Sequence, residues 1–202
     1  MRQYCPRCNK ALKACICQWI QPVDTKTELL ILQHPTEVKR AIGTARILDL
    51  SLATCQVMVG EDFTEHEGLN QALTRDDIDW YLLYPGEFAT PASQLVTQSQ
   101  RNIGFILLDG TWKKAYKIMQ LSSNLHALPC CFLDDVLPGR YRIRKTSKQT
   151  GVSTVEAGYF ALRAVEPSNN GLDALLVPFD KMIDYQLQQM TPDVARRNYS
   201  ER

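Results

Sequence analysis

The sequence predicts an α/β domain on a mainly parallel sheet, preceded by a small cysteine-rich knuckle. Three observations lead there. Short, near-continuous apolar runs alternate with longer stretches of helical period, as expected for parallel strands buried on both faces and joined by crossover helices. Four cysteines stand within the first seventeen residues. The chain has 202 residues, 45% of them hydrophobic, which suits one compact domain plus a short appendage. The knuckle is expected over residues 1–24 and the main domain over 25–202.

Cys5, Cys8, Cys15 and Cys17 stand in the run C-P-R-C-N-K-A-L-K-A-C-I-C. No apolar signal stretch precedes them, so a cytoplasmic, reducing setting is expected, where disulfide frameworks are rare. A C-x2-C pair and a C-x-C pair can each wrap one edge of a tetrahedral zinc ion, the six residues between them forming the connecting turn. Four sulfur ligands leave no open position, so such a site is structural. Arg2, Arg7, Lys10 and Lys13 would offset the surplus negative charge of the tetrathiolate. A reactive or redox cluster is the alternative. Cys55, Cys130 and Cys131 lie in apolar runs and read as small buried hydrophobes.

Strands are expected over 28–33, 56–59, 80–84, 103–108 and 130–133. After the first, Val38, Ala41, Ile42, Ala45 and Leu48 share one helical face and Lys39 and Arg46 another, with a capped start at Thr36. Gly43 inside that helix would cost about 1 kcal/mol. Further helices are expected from 111 or 112 to 121, from 153 to 164, and from 172 to 190 with a kink or break at Pro178. Loops are marked by Tyr84-Pro85-Gly86, Leu137-Pro138-Gly139 and residues 167–171.

Lys and Arg number 23 against 22 Asp and Glu, so self-repulsion forces neither disorder nor expansion. Apolar runs fall far short of the ~20 residues that span a bilayer, and no membrane association is expected. Charge is nevertheless uneven. Residues 136–155 hold no acid but five cations, Arg140, Arg142, Arg144, Lys145 and Lys148. Such a segment either holds a polyanion or is a solvated loop with acids nearby in space. G-x-G-x-x-G, G-x4-G-K-[ST] and H-E-x-x-H are missing, which removes support for dinucleotide, P-loop and zincin chemistry. His34, His66 and His126 are scattered. His34 either faces a crevice at the end of the first strand or serves as a structural hydrogen-bonder.

Open α/β sheets bind ligands beyond the carboxyl ends of their strands. One such end leaves through Tyr84-Pro85-Gly86. The other, I-G-F-I-L-L-D-G-T-W, ends a buried strand in Asp109, then Gly110, then a helix start. Asp109 can cap that helix with help from Thr111. Alternatively it sits in the crevice, accepting a proton or holding a cation, with Trp112 as a flat apolar neighbour.

Asp109-Gly110-Thr111-Trp112 matches the D-x-T-W signature of the DTW-domain family. The four-cysteine knuckle, His34-Pro35-Thr36-Glu37, Tyr84-Pro85-Gly86, Tyr141 to Lys145 and Ser153 to Ala157 follow in family order. The chain therefore resembles this family over nearly its whole length, and within it the bacterial tRNA-uridine aminocarboxypropyltransferases. It departs from the pattern at Gly43, where asparagine is expected.

The resemblance implies transfer of the 3-amino-3-carboxypropyl group from S-adenosylmethionine to a uridine base nitrogen of tRNA. It also implies a SPOUT-like fold with a knotted C-terminal half that forms the donor pocket. Asp109 is implied as general base, a role that requires burial to raise its pKa; positioning of donor or base is the alternative. Leu83, Tyr84, Pro85, Gly86, Leu108, Gly110, Thr111, Trp112, Leu128, Pro129, Ser153 and Thr154 are implied as pocket lining. Lys39, Arg46 and the five cations of 140–148 are implied as tRNA phosphate contacts. The partners expected are tRNA and S-adenosylmethionine, the metal is structural zinc, and the protein is expected to act as a monomer. Competing readings are a zinc-knuckle RNA-binding module without catalysis, an S-adenosylmethionine-dependent RNA methyltransferase, and a zinc-stapled assembly protein.

Overall fold

A computed structural model describes residues 3–98, 101–134 and 152–189. Six strands, β1 (Glu28–Gln33), β2 (Cys55–Val59), β3 (Ile78–Leu83), β4 (Thr90–Pro91), β5 (Asn102–Asp109) and β6 (Cys130–Phe132), form one sheet in the order β2-β1-β5-β3-β6-β4. Every pairing between these strands is parallel, and the one antiparallel bridge among the described residues joins Tyr4 to Ala11 in the knuckle. The five expected strands are thus present within two residues at each end. β4 was not foreseen, because two residues carry no periodic signal.

The helices are α1 (Ala45–Ser51), α2 (Glu67–Leu73), α3 (Leu95–Gln98), α4 (Trp112–Leu121), α5 (Thr154–Val165) and α6 (Leu176–Gln188). They cover both faces of the sheet. On one face Leu29, Ile31, Phe105 and Leu107 pack with Leu48 of α1, Leu162 of α5 and Phe179 of α6. On the other, Leu30, Leu32 and Ile106 pack with Leu69 of α2 and Ile118 of α4. Two apolar clusters back to back explain why β1 and β5 are continuous hydrophobic runs, whereas the edge strand β2 exposes Gln56 and Val59.

Two helix expectations need correction. The stretch after β1 does not start a helix at Thr36: residues Pro35–Glu37 form a 3-10 turn, residues 38–44 are turns and irregular chain, and α1 begins at Ala45. The glycine penalty at Gly43 and the side-chain demands of the turn outweigh the weak periodicity there. Lys39 consequently shares no helix face with Arg46. At the C-terminal end, Asn170–Leu175 is a 3-10 helix and α6 starts at Leu176. Pro178 lies in the first turn of α6, where its missing N–H has no intrahelical partner to lose, so it neither kinks nor divides the helix. Among the described residues no helix is long and apolar enough to cross a membrane.

One glycine is set by packing. A Cβ at Gly104 in β5 would lie 2.4 Å from Cε3 of Trp80, whose ring is pinned by a 2.9 Å hydrogen bond from Nε1 to the carbonyl of Ala72. Gly104→Ala should therefore destabilise the fold by about 1–3 kcal/mol, the usual range for overpacking. Urea unfolding checks this, and an unchanged midpoint would mean that the indole has room to move.

Order in the sheet also decides where a ligand can bind. β1 leaves to β2 by α1 on one face, and β5 leaves to β6 by α4 on the other. Neighbouring strands whose connections depart to opposite faces open a crevice at their carboxyl ends. Here those ends are Gln33 and Asp109, which are register partners.

Candidate active site and four-cysteine knuckle

Asp109 is buried, 7% exposed, at the end of β5. Gln33 Nε2 donates to its Oδ2 at 2.6 Å, and the hydroxyl of Thr154 at the start of α5 donates to its Oδ1. The carboxylate thus joins β1, β5 and α5 at one point. Among the described residues these two side-chain donors fill two of the roughly four acceptor positions of the carboxylate. The capping alternative is not what the structure shows: Thr111 takes the N-cap position of α4 with no side-chain cap bond, and Asp109 is turned toward Gln33 and Thr154.

The start of α5 is rigid for a local reason. Ser153 and Glu156 form a capping box, with the Ser153 N–H donating to Glu156 Oε2 at 2.9 Å and its hydroxyl to the same atom at 2.6 Å. Thr154 is thereby held toward Asp109.

Around this point the 34–37 segment is tied down by ion pairs. His34 uses both ring nitrogens, Nδ1 with Thr36 at 3.0 Å and Nε2 with Glu61 at 2.6 Å, so it is the structural hydrogen-bonder. Glu61 also pairs with Lys117 of α4. Buried Glu37 receives Lys114 Nζ at 2.6 Å and Arg40 at 3.1 Å. Burial alone would raise the Glu37 carboxyl, but the Lys114 and Arg40 bonds outweigh it and hold it below its ordinary value.

The expected pocket residues are brought together in part. Tyr84, Leu108 and Leu128 pack, half-buried, against the same apolar cluster, and Leu83 lies on the opposite face. Pro85, Gly86, Gly110, Thr111 and Pro129 are exposed. Gly110 is required by close approach, since a Cβ there would meet that of Lys114 at 2.9 Å. Trp112 is 53% exposed at the first turn of α4, and Tyr116, one turn further, is 57% exposed. Tyr116 lies near enough to Tyr84 to disfavour charge on its hydroxyl, a smaller effect than burial in raising that group.

Of the expected phosphate contacts, Lys39 is exposed. Arg46 is committed within the fold, donating to the Arg7 carbonyl at 2.9 Å and pairing with Asp49. Arg140, Arg142, Arg144, Lys145 and Lys148 lie outside the described residues. Sequence reasoning missed Gln33, Lys114 and Tyr116. A polar residue closing an apolar strand was the available signal for Gln33, and the four-residue spacing from Trp112 was the signal for Tyr116.

The four N-terminal cysteines converge, and one of them, Cys8, lines a cleft that Gln33 also lines. All four sulfurs lie within 4.8 Å of one another, with Cys5 to Cys17 at 3.6 Å and Cys8 to Cys15 at 3.8 Å. Tetrahedral coordination at ~2.3 Å per bond requires sulfurs about 3.8 Å apart, so the cluster fits a metal ion of that geometry. Backbone N–H groups of Cys8 and Arg7 point at Cys5 and pull its thiol down to about 6. Cys55 and Cys131, by contrast, are buried thiols pushed up by burial, Cys131 to about 12, which suits inert packing.

The family model described as the DTW domain matches residues 2–187. The chain is 31% identical over 192 residues to tRNA-uridine aminocarboxypropyltransferase 2 of Mus musculus, a match covering 93% of this chain and 64% of that protein. It is 31% identical over 193 residues to the protein of the same name from Drosophila melanogaster, covering 92% and 76%. To tRNA-uridine aminocarboxypropyltransferase A of Arabidopsis thaliana it is 24% identical, covering 95% and 83%. The chain thus spans just under two thirds of the mouse protein's length. No solved structure gives a significant match. With the D-x-T-W carboxylate at the strand switch point and the family model spanning almost every residue, the chain belongs to the DTW domain family.

Proposed function

We propose that this protein transfers the 3-amino-3-carboxypropyl group of S-adenosylmethionine to a base nitrogen of a uridine in tRNA. The observation that carries the reading is Asp109: a buried carboxylate at the switch point of the sheet, oriented by Gln33 and Thr154. The names of the relatives in mouse, fly and Arabidopsis support the reaction and the tRNA substrate.

The donor is a sulfonium with three electrophilic carbons, so the product depends on which carbon meets the nucleophile. The new bond joins the uracil nitrogen to the aminocarboxypropyl carbon as the bond from that carbon to sulfur breaks, releasing neutral methylthioadenosine. The imide proton must leave, and Asp109 is the group within the crevice to accept it. Residues 83–86, Leu108, 110–112, 128–129 and 153–154 would line the donor pocket. On this reading the C-terminal half is SPOUT-like and knotted, as the family resemblance implies. The knuckle over 1–24 would hold zinc as a staple on the catalytic domain of 25–202. We read the protein as cytoplasmic and as a monomer.

Tyr116, one turn beyond Trp112, offers a flat face on the outside of α4 beside Lys113. Such a face stacks a splayed base, while Lys39 and the cations of 140–148 would hold phosphates. Tyr116→Ala should weaken tRNA binding by about 1–3 kcal/mol, the usual value of one base stack, with donor affinity unchanged. Filter binding at fixed salt checks this, and unaltered affinity would remove Tyr116 from the RNA face.

The reading as a whole is tested by incubating the protein with tRNA and S-adenosylmethionine and analysing nucleosides by mass spectrometry. The expected products are methylthioadenosine and an aminocarboxypropyl uridine. S-adenosylhomocysteine with a methylated base would make it a methyltransferase, and tRNA binding with no donor binding would make it a non-catalytic module.

A further inference from the structure

The knuckle and the Asp109 crevice are joined by a residue that neither site explains. Lys10 lies between the two cysteine pairs, yet its side chain points away from solvent and is only 4% exposed. Its ammonium donates to the carbonyls of Ala41 at 2.8 Å and Gly43 at 3.0 Å, more than thirty residues away. The turn that sends it there is tight. Asn9 adopts the left-handed conformation at φ 58°, and the Cys5 N–H closes the turn on the Lys10 carbonyl at 2.8 Å. A buried ammonium is costly unless negative charge is near. Both acceptors are neutral carbonyls, and Cys8, two residues before it and one of the four clustered sulfurs, lines the same cleft. A loaded tetrathiolate, carrying two surplus negative charges, supplies the counter-charge this lysine needs.

The carbonyls that Lys10 holds belong to the loop between β1 and α1, and the loop continues directly to the catalytic centre. Thr44, the next residue, is buried and accepts the Val155 N–H on its hydroxyl oxygen at 3.2 Å. Val155 follows Thr154, which holds Asp109. A cleft of about 200 Å³ is lined by Cys8, Lys10, Glu37 and Gly43 and also by Gln33, the other partner of Asp109.

We propose that Lys10 is a positioning residue: with its charge balanced by the metal-loaded cysteine cluster, it fixes the backbone of residues 41–43 and, through Thr44 and the start of α5, sets the Asp109 carboxylate. Loading of the knuckle is then a condition for an ordered site rather than a local staple. The proposal takes Asp109 as the centre of the site but does not depend on which reaction occurs there.

The test uses the full-length, zinc-loaded protein. Lys10→Met removes the charge and both donors at similar length, and Lys10→Arg keeps charge and donors. Bound zinc is measured by elemental analysis, and amide hydrogen exchange is followed at Gly43, Thr44 and Val155, with Leu30 and Ile106 in the central strands as controls. Lys10→Met should keep one zinc per chain, speed exchange at the three amides about tenfold and leave the controls unchanged, with Lys10→Arg recovering most of the protection. Stripping zinc from the unsubstituted protein with a chelator should release the same amides. Should Lys10→Met lose zinc or fail to fold, the stripped protein decides alone. Faster exchange confined to residues 3–24 overturns the coupling, as does unaltered protection at Gly43 and Val155. Intact coupling in a protein with no transferase activity would instead count against the functional reading and leave Lys10 in its role.

Discussion

Asp109→Asn is expected to lower the rate of transfer roughly 10²–10⁴-fold, the usual worth of a positioned acid or base, while barely changing thermal stability. The two properties separate because of the local geometry. Asparagine has the same shape, its carbonyl can still accept from Gln33, and the Thr154 hydroxyl can turn to accept from the new amide. What is lost is the negative charge and the ability to take a proton. Asp109→Ala should differ, since it leaves the Gln33 amide and the Thr154 hydroxyl without their acceptor, costing about 1–3 kcal/mol of stability as well. Single-turnover rates measured alongside melting curves distinguish the cases. An asparagine variant with wild-type turnover would reduce Asp109 to a strut between β1 and α5.

The largest expected effect on stability comes from the knuckle. Cys8→Ser should abolish stoichiometric metal binding and cost on the order of 3 kcal/mol, which for a chain of this size is a fall of about 6–12 °C in Tm. The loss should stay well below the ~10–16 kcal/mol with which small zinc peptides bind their ion, because this segment has other anchors. Ile16 is fully buried in the main core, and the Arg7 carbonyl is held by Arg46. Calorimetry with elemental analysis tests this. A serine variant that kept its zinc and its Tm would mean that the four sulfurs meet for another reason, the redox cluster being the leading one.

Much of this molecule was open to reading before any coordinates. β1 and β5 are marked by unbroken apolar runs because each is covered on both faces, and that burial is stated directly in residue type. α4 and α5 carry clear helical periods, and α5 declares its start through Ser153 and Glu156. The helix expected after Thr36 failed for the opposite reason. Val38, Ala41 and Ile42 mimic a helical face, but His34, Thr36 and Glu37 spend their polar groups on a turn and on Lys114, and no local pattern reports such distant partners.

The candidate site divides along the same line. Residue type and spacing alone determined the four-cysteine cluster and the acid at the end of a buried strand, because ligand chemistry and chain turns act over a few neighbouring residues; the family came from the resemblance of ordered motifs. Only the tertiary structure decided that Asp109 answers to Gln33 and Thr154, and that Lys10 reaches the loop at Ala41 and Gly43. Those bonds span from 31 to 76 residues of chain. The Asp109–Gln33 bond exists because β5 is inserted beside β1, bringing Asp109 level with Gln33 and opening the crevice between crossovers that leave on opposite faces.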